Sequence, residues 1–353
     1  MSSMKPTTQQ IETTLQSLKK HMKATGRPLK TIKAYSSMTR RFLLWQINSW
    51  DTIKEYSPEK KMGAFISYLA NRKKYSISFN TQKAYWSAVL YFYRDFKGVT
   101  IGKVEAVHAK SQQRIFSLLT IEQAKQLWDA MPSSPQENYR LIAMLMFGTG
   151  MRIESEVLRL RIKDILFDNE LIAIQEGKGD KAGFVDLPKK LVDDLKKQIS
   201  YARTQYEMDR TLNRNGVFVP GGLAQKYPAI PTSWEWYWVF PDRHETRDED
   251  GVKRRHHIQV WDVQNAFKVA RRAKKLPESA TPHMMRHMYA TFYLKNILKK
   301  VKESGLDIPD LYQFCRDQLR KKLRHVSPET TNKYIHLAME KNQITDASPI
   351  DLI

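Results

Sequence analysis

The sequence contains one cysteine and no long apolar segment. Its only cysteine is Cys315, so a disulfide framework and a cysteine-rich metal site are both excluded. No apolar run approaches the roughly 18–20 residues that a membrane-spanning helix needs. The first ten residues are polar and lack the apolar centre of a secretion signal. We therefore expect a cytoplasmic protein that has no membrane partner.

Acidic residues are also scarce, most of all in the first third of the chain. The whole sequence has 59 lysines and arginines against 37 aspartates and glutamates, a formal charge of +22. Residues 1–112 alone have 20 basic and 6 acidic residues, and aromatic residues are interleaved with them. A concentrated excess of this kind favours a nucleic-acid partner over a merely charge-rich surface. Charge by itself does not distinguish DNA from RNA.

The length and the apolar content indicate two folded domains. A chain of 353 residues is long for one core, and a hydrophobic content of 41% excludes wholesale disorder. Apolar spacing and capping residues predict four helices in the first third: Ile11 to Lys23, Lys30 to Trp45, Ser57-Pro58 to Leu69, and a helix capped by Asn80. Residues 104–114 are polar and basic without clear periodicity, which predicts a linker at 104–118.

The rest of the chain, residues 119–353, combines helical patterns with a hairpin. An apolar helix runs from Leu141 to Phe147 and ends in a Gly-Thr-Gly turn. Two strand-like segments, 171–174 and 183–187, flank a Gly-Lys-Gly-Asp turn at 177–180. The sequence therefore predicts a mainly α fold with a small antiparallel β-sheet, made of a helical first domain and an α+β second domain.

Cationic and proton-transferring side chains recur in this second part. They are Arg152, Lys178, His283, Arg286, His325 and Tyr334. Each alone is ordinary, since an arginine there can pair with Glu154 or Glu156 and a hairpin lysine is usually solvated. Together they suit a phosphodiester, because two forked guanidinium groups can bind its anionic oxygens. A tyrosine, whose ordinary pKa is about 10, needs such a basic surrounding to act as a nucleophile.

In order, spacing and flanking residues, these segments resemble the tyrosine recombinase family over nearly the whole chain. The resemblance lies in Phe147-Gly-Thr-Gly-Met-Arg152, Gly177-Lys178-Gly179, Pro282-His283-Met-Met-Arg286-His287, and His325 followed nine residues later by Tyr334. It implies a two-domain C-clamp protein with a SAM-like core-binding domain at 1–103, a linker at 104–118 and a catalytic domain at 119–353. The implied setting is the bacterial nucleoid, with DNA as partner and a homotetramer on synapsed DNA.

The resemblance also implies a role for each residue of the set. Arg152 and Arg286 would bind the phosphate, and Lys178 would protonate the leaving 5′ hydroxyl. His283 would assist proton transfer at Tyr334, while His325 would hydrogen-bond the phosphate. The covalent 3′-phosphotyrosine link conserves the bond energy, so no metal, ATP or other cofactor is implied.

One stretch, about residues 205–260, is similar to the extra segment of integron integrases. The similar residues are Gly216-Val-Phe-Val-Pro220, Lys226-Tyr-Pro228, Trp234-Glu-Trp236-Tyr-Trp238 and Arg254-Arg255-His256-His257. In that group the segment reads bases that protrude from a folded single-stranded site, and aromatic faces and imidazoles suit such bases. The resemblance therefore implies seven DNA contacts, from Trp234, Trp236, Trp238, Arg254, Arg255, His256 and His257. Two other interpretations compete with base contact. The alternating tryptophans can be strand core, and two histidines can bind metal with a third ligand, although no nearby cysteine or spaced histidine supports a metal site.

The sequence departs from the family pattern near two boxes. Arg324 stands where a glycine ordinarily precedes His325, and the acidic residue after Arg152 is shifted by one, to Glu156. The gap between Arg286 and His325 is long and predicts additional helix at 294–300 and 310–322. Three alternatives remain: a phage-type integrase or Xer-like resolvase acting on duplex sites, an inactive DNA-binding relative, and a type IB topoisomerase.

Overall fold

The computed structural model describes residues 5–71, 77–109, 118–175, 182–248, 251–305, 311–324 and 331. The chain divides into two compact units, Met1–Ile115 and Phe116–Ile353. In the described residues, helices dominate and the strands form two small antiparallel sheets. The predicted fold class, mainly α with a small antiparallel β component, is therefore confirmed.

The first unit is a helical bundle. Its helices are α1 Thr8–Ala24, α2 Leu29–Asn48, α3 Trp50–Ile53, α4 Pro58–Ala70 and α5 Phe79–Tyr91, the last continuing as a π-helical turn, Phe92–Phe96. Apolar stripes on these helices form one core, in which Phe42 and Phe65 are fully buried and Tyr85 nearly so. The predicted start of α4 is confirmed, since Ser57 caps it. The predicted cap of α5 was wrong by two residues, because the Ser78 hydroxyl, not Asn80, accepts the Thr81 N–H.

Part of the predicted linker packs against this bundle. The buried amide of Gln82 donates to the carbonyl oxygens of Ile66 and Val107 and accepts the N–H of Ala109. These bonds hold residues 107–109 against α4 and α5. The predicted domain boundaries themselves stay a prediction.

The second unit combines helices with a three-stranded sheet. Its elements are α6 Ile121–Asp129, α7 Tyr139–Thr149, β1 Ile165–Leu166, β2 Leu171–Ile174, β3 Gly183–Asp186, α8 Val192–Thr211, α9 Gly221–Lys226, β4 Pro241–Arg247, β5 Lys253–His257, α10 Val260–Ala273, α11 Pro282–Ser304 and α12 Leu311–Leu323. The sheet order is β1-β2-β3, and β2 pairs with β3 so that Ile172 lies opposite Val185. The two predicted strands are thus present, while the turn at 177–180 lies outside the described residues.

The predicted insertion, residues 205–260, has its own small core. It contains the end of α8, then α9 and the hairpin β4–β5. Val217, Val219, Tyr237 and Trp238 are buried together beside the main core. The tryptophan run does not form a strand: residues 234–237 are turns and bends, and Trp238 makes an isolated bridge with Arg161.

Candidate active site and aromatic cavity

The loop that carries Arg152 is fixed by a glycine turn. Helix α7 ends at Thr149, and Gly150 adopts a left-handed conformation with φ +68°. A Cβ at Gly150 would lie 2.4 Å from the Tyr289 ring, so both the backbone angle and the space require glycine. The chain therefore turns sharply between α7 and Arg152.

One buried carboxylate organises the arginines of this region. Glu156 accepts hydrogen bonds from the Arg152 backbone N–H at 2.8 Å and from its guanidinium at 3.0 Å. The guanidinium of Arg324 donates to the same carboxylate at 2.7 Å, and that of Arg286 lies 3.8 Å away. The Glu156 side chain is only 2% exposed. A single negative charge is thus shared by three cations.

Arg286 is held from two further directions. It lies on α11, buried, and its guanidinium donates to the carbonyl oxygens of Gly150 and Leu323, the latter at 2.7 Å. His283 lies one turn earlier on the same helix and is exposed. The site is therefore assembled from three parts of the chain: the loop after α7, α11, and the end of α12.

The structure brings together Arg152 and Arg286, two of the six predicted catalytic residues, with His283 on the helix of the second. Lys178, His325 and Tyr334 lie outside the described residues. The segments next to two of them are described: Gly183 of β3 follows the predicted lysine hairpin, and Leu323 and Arg324 precede His325. A Cβ at Gly183 would lie 3.7 Å from Cδ of Arg324, so these segments are close neighbours.

Sequence reasoning named Glu156 only as a displaced acidic residue and did not predict Arg324 as part of the site. The signal for both was their departure from the family pattern. Chemically, clustered guanidinium groups in a largely buried setting suit an anionic phosphate, whose developing charge they stabilise more strongly than they would in water.

Beside this cluster lies a cavity of about 390 Å³. Its walls include the aromatic side chains Phe218, Trp236, Trp238, His256 and His257, the basic side chains Arg159, Arg161 and Lys163, and Ser155 and Glu156 from the loop after Arg152. This volume lies in the range of cavities that hold a small organic molecule. Glu156 therefore borders both the arginine cluster and the cavity.

Trp238 is a structural wall of this cavity. It is 3% exposed, and its indole N–H donates to the Arg255 carbonyl oxygen at 3.0 Å. The Arg161 guanidinium lies 3.1 Å from the ring centroid and donates to the carbonyl oxygens of Trp236 and Phe218. Burial lowers the pKa of Arg161 to about 9, which leaves it charged at neutral pH. This stack holds the insertion against the segment that follows the Arg152 loop.

The more accessible aromatic groups are Trp236, Phe218 and the two histidines. The Lys163 ammonium lies 3.6 Å from the Trp236 ring centroid, and His256 is nearly parallel to Phe218 at 5.7 Å. Burial lowers the pKa of His256, and burial lowers that of His257 to about 4 against a backbone hydrogen bond to Ile258. Both imidazoles are therefore neutral at pH 7.

Three predicted DNA contacts have structural partners instead of cavity positions. Arg255 is buried and forms a two-pronged ion pair with Asp209, which also accepts the Tyr237 hydroxyl at 2.7 Å. Burial alone raises the pKa of Asp209, but these hydrogen bonds outweigh it and lower the pKa. Arg254 pairs with Asp248 at 2.9 Å, and Trp234 packs against Tyr206. DNA contact has least support at these three positions, although none of the seven predicted contacts is tested by the geometry.

Among the described residues, no group of three or more histidine, cysteine, aspartate or glutamate side chains has metal-binding geometry. None of the described helices is long and apolar enough to cross a membrane.

Family models match most of the chain. The model described as "Phage integrase family" matches residues 117–305, and that described as "Phage integrase, N-terminal SAM-like domain" matches residues 14–103. An integrase/recombinase of Escherichia coli is 34% identical over 312 residues, which cover 88% of this chain and 85% of the relative. Tyrosine recombinase XerA of Thermococcus kodakarensis is 23% identical, with 89% and 87% covered.

Solved structures show the same fold. A lambda integrase dimer bound to a COC′ core site matches with a TM-score of 0.55 and 16% identity, covering 95% of this chain and 98% of that one. The Tn1549 transposon integrase in complex with a circular intermediate DNA matches with a TM-score of 0.54 and 16% identity, covering 91% and 94%. These structural similarities support the two-domain fold and do not extend to the details of the site.

Proposed function

This chain belongs to the phage integrase family of tyrosine site-specific recombinases, and from that premise we propose that it exchanges strands at folded DNA sites of the integron type. The reaction takes place at the arginine cluster, and the aromatic cavity beside it receives a base of the folded DNA.

In the proposed reaction, Arg152 and Arg286 bind the non-bridging oxygens of the scissile phosphate. The Tyr334 oxygen attacks phosphorus while His283 accepts the phenolic proton, and the bond to the 5′ oxygen breaks. Lys178 supplies the proton to that leaving oxygen, and His325 hydrogen-bonds the phosphate. Attack by another 5′ hydroxyl on the 3′-phosphotyrosine reverses these steps and joins the strands. The energy of the bond is retained, so the cycle uses no ATP.

The single observation that carries the integron-type substrate is the aromatic cavity. A duplex offers no free base faces, whereas a folded single strand can present extruded bases that stack on aromatic side chains. Trp236, Phe218 and His256 offer such faces. Lys163 and Arg159 line the same cavity, where their positive charges suit the phosphate backbone of a bound strand. The cavity shares Glu156 with the arginine cluster, so a base held there would lie beside the reacting strand.

DNA is also the proposed partner of the first unit. The basic first 112 residues suit a phosphate backbone, and a homotetramer on synapsed DNA would bring four strands together. The lambda and Tn1549 relatives were solved on DNA, which supports the same partner here.

The test compares a folded single-stranded site with a duplex suicide site. Both are first recovered by trapping covalent complexes on candidate sites and sequencing the attached DNA. His256→Ala with His257→Ala, and separately Trp236→Ala, should cripple recombination of the folded site. The loss of one stacked base should weaken its binding by about 1–3 kcal/mol. Covalent cleavage of the duplex site should persist, because no proposed catalytic residue is changed.

Two controls sharpen this experiment. Trp261→Ala removes an indole of α10 that is 67% exposed and does not line the cavity, so it should leave both substrates unaffected. Removing the protruding bases from the DNA should mimic Trp236→Ala and add little to it, because two lesions in one interaction do not sum. Equal loss on folded and duplex sites would make the segment structural and favour an integrase or Xer-like enzyme of duplex sites.

A further inference from the structure

Arg324 occupies a backbone conformation that ordinarily requires glycine. Its φ is +54°, in the left-handed region, where a Cβ is unfavourable. Its side chain is nevertheless only 7% exposed, so the arginine is not simply a solvated turn residue. A strained position of this kind is retained when the side chain makes contacts that glycine cannot.

The contacts of Arg324 join three segments of the site. Its guanidinium donates to Glu156 at 2.7 Å and to the Lys322 carbonyl oxygen at 3.1 Å. Its aliphatic stem lies beside Gly183, where β3 leaves the predicted lysine hairpin. The Arg324 side chain thus connects the end of α12 with the loop of Arg152 and with the first residue of β3.

These contacts close a ring through the two proposed phosphate-binding arginines. Glu156 accepts a hydrogen bond from the Arg152 guanidinium, and Arg324 forms an ion pair with Glu156. Leu323, next to Arg324 in the chain, offers its carbonyl oxygen to Arg286, which also donates to Gly150 two residues before Arg152. A shift of Arg324 would therefore reach both arginines.

The charges of these side chains also indicate that Arg324 influences both arginines. Without Arg324, the one negative charge of Glu156 would be offset only by Arg152 and Arg286, which would weaken their attraction for a phosphate. With Arg324 present, a third cation helps to balance the negative charge of that carboxylate. Burial makes such local charge differences count, because water screens them little.

We propose that Arg324 is a positioning residue for strand cleavage, which pairs with Glu156 so that this carboxylate orients Arg152 and Arg286 without neutralising them. The proposal rests on the phosphate-binding roles of Arg152 and Arg286 given above. It accounts together for two departures from the family pattern, the arginine in place of glycine and the displaced glutamate, as the two halves of one ion pair.

The test is single-turnover cleavage of the trapped duplex site by the full-length protein. Arg324→Gly relieves the left-handed backbone but removes one partner of a buried ion pair, so its melting temperature is measured first and cleavage is assayed well below it, where the protein is folded. The maximal cleavage rate should fall about 10- to 100-fold, as expected for a small misplacement of catalytic groups, with DNA affinity within twofold. Lys275→Gly is the matched control, because Lys275 is an exposed basic residue with φ +50°, and its rate should not change.

A second substrate separates positioning from mere scaffolding. A methylphosphonate at the scissile position carries no negative charge, so its cleavage depends less on the arginines. The defect of Arg324→Gly should therefore shrink at least threefold on methylphosphonate. In Glu156→Gln, the further change Arg324→Gly should cost less than it does alone, because the pair is already broken.

Three results would overturn the proposal: a wild-type rate in Arg324→Gly, an equal defect on both substrates, or additive effects with Glu156→Gln. If Arg324→Gly does not fold, Arg324→Lys is compared on the same two substrates and must show the same smaller defect on methylphosphonate. Arg152→Ala is run alongside. If Arg152→Ala cleaves normally, the proposed function itself fails. If Arg152→Ala is inactive while Arg324→Gly cleaves at the wild-type rate, only the positioning role is refuted.

Discussion

Asp209→Asn should destabilise the insertion far more than a change of one charge suggests. Asp209 is fully buried, and its carboxylate receives hydrogen bonds from Arg255, Arg214 and the Tyr237 hydroxyl. The Arg255 side chain is 2% exposed and forms its ion pair with this carboxylate. Asparagine has nearly the same shape but no charge, so the substitution leaves a buried guanidinium without its counter-ion.

The expected loss of unfolding free energy is about 3–5 kcal/mol, the usual cost of breaking a buried ion pair from one side. That loss is a large part of the roughly 5–15 kcal/mol that stabilises a typical domain. Glu207→Gln is the matched control on the same helix, two residues earlier. Its partner, Arg203, and Glu207 itself are 48% and 61% exposed, so the change should cost about 0.5 kcal/mol or less.

The measurement is urea unfolding of the wild type and both variants, followed by far-UV circular dichroism and by tryptophan fluorescence. Three of the eight tryptophans, Trp234, Trp236 and Trp238, lie within the insertion, so its unfolding contributes to the fluorescence change. A cost below about 1 kcal/mol for Asp209→Asn would refute the reasoning, since Arg255 would then find water or other acceptors. An equally large loss of unfolding free energy in Glu207→Gln would show that the number of charges on α8, and not the burial of the ion pair, determines the stability.

Other expectations follow from the site and its surroundings. Tyr334→Phe should abolish formation of the covalent protein–DNA adduct and leave DNA binding nearly intact, as measured by denaturing gels and band shifts. A 5′-bridging sulfur should rescue Lys178→Ala but not Arg152→Ala, because only the lysine is proposed to protonate the leaving oxygen; equal rescue would contradict these roles. Because the pKa of His257 is about 4 when folded and 6.5 ordinarily, its neutral form contributes stability above pH 6.5 that is lost as the pH falls through 4. The stability difference between wild type and His257→Gln should therefore change by up to about 3 kcal/mol between pH 7 and 4, and a constant difference would refute this. DNA affinity should fall log-linearly with salt concentration, and a flat dependence would exclude a phosphate-binding role for residues 1–112.

The sequence predicted the helices well where short-range signals mark them. Ser57 followed by Pro58 marks the start of α4, because a hydroxyl cap and a first-turn proline act within one turn of the chain. The predicted helix at 310–322 is close to the observed α12, Leu311–Leu323. The cap of α5 was misplaced because Ser78 and Asn80 are both good caps, and local sequence does not choose between them.

The family and its chemistry were also readable in the sequence, because they depend on the order and identity of a few side chains. Residue types such as Arg152 and Arg286 in a fixed order indicate phosphate chemistry without knowledge of their distance. The tryptophan run was harder to interpret, since alternation along the chain suits a strand and the chain instead forms turns there.

Only the tertiary structure decided which of these residues meet and which are structural. Glu156 and Arg324 are 168 positions apart, and Arg161 and Trp236 are 75 apart, so nothing local predicts either pair. The same holds for Arg255, which the resemblance predicts to contact DNA and which the fold buries against Asp209. Local patterns follow from the energetics of neighbouring residues, whereas an ion pair between distant residues depends on how the helices and strands pack together.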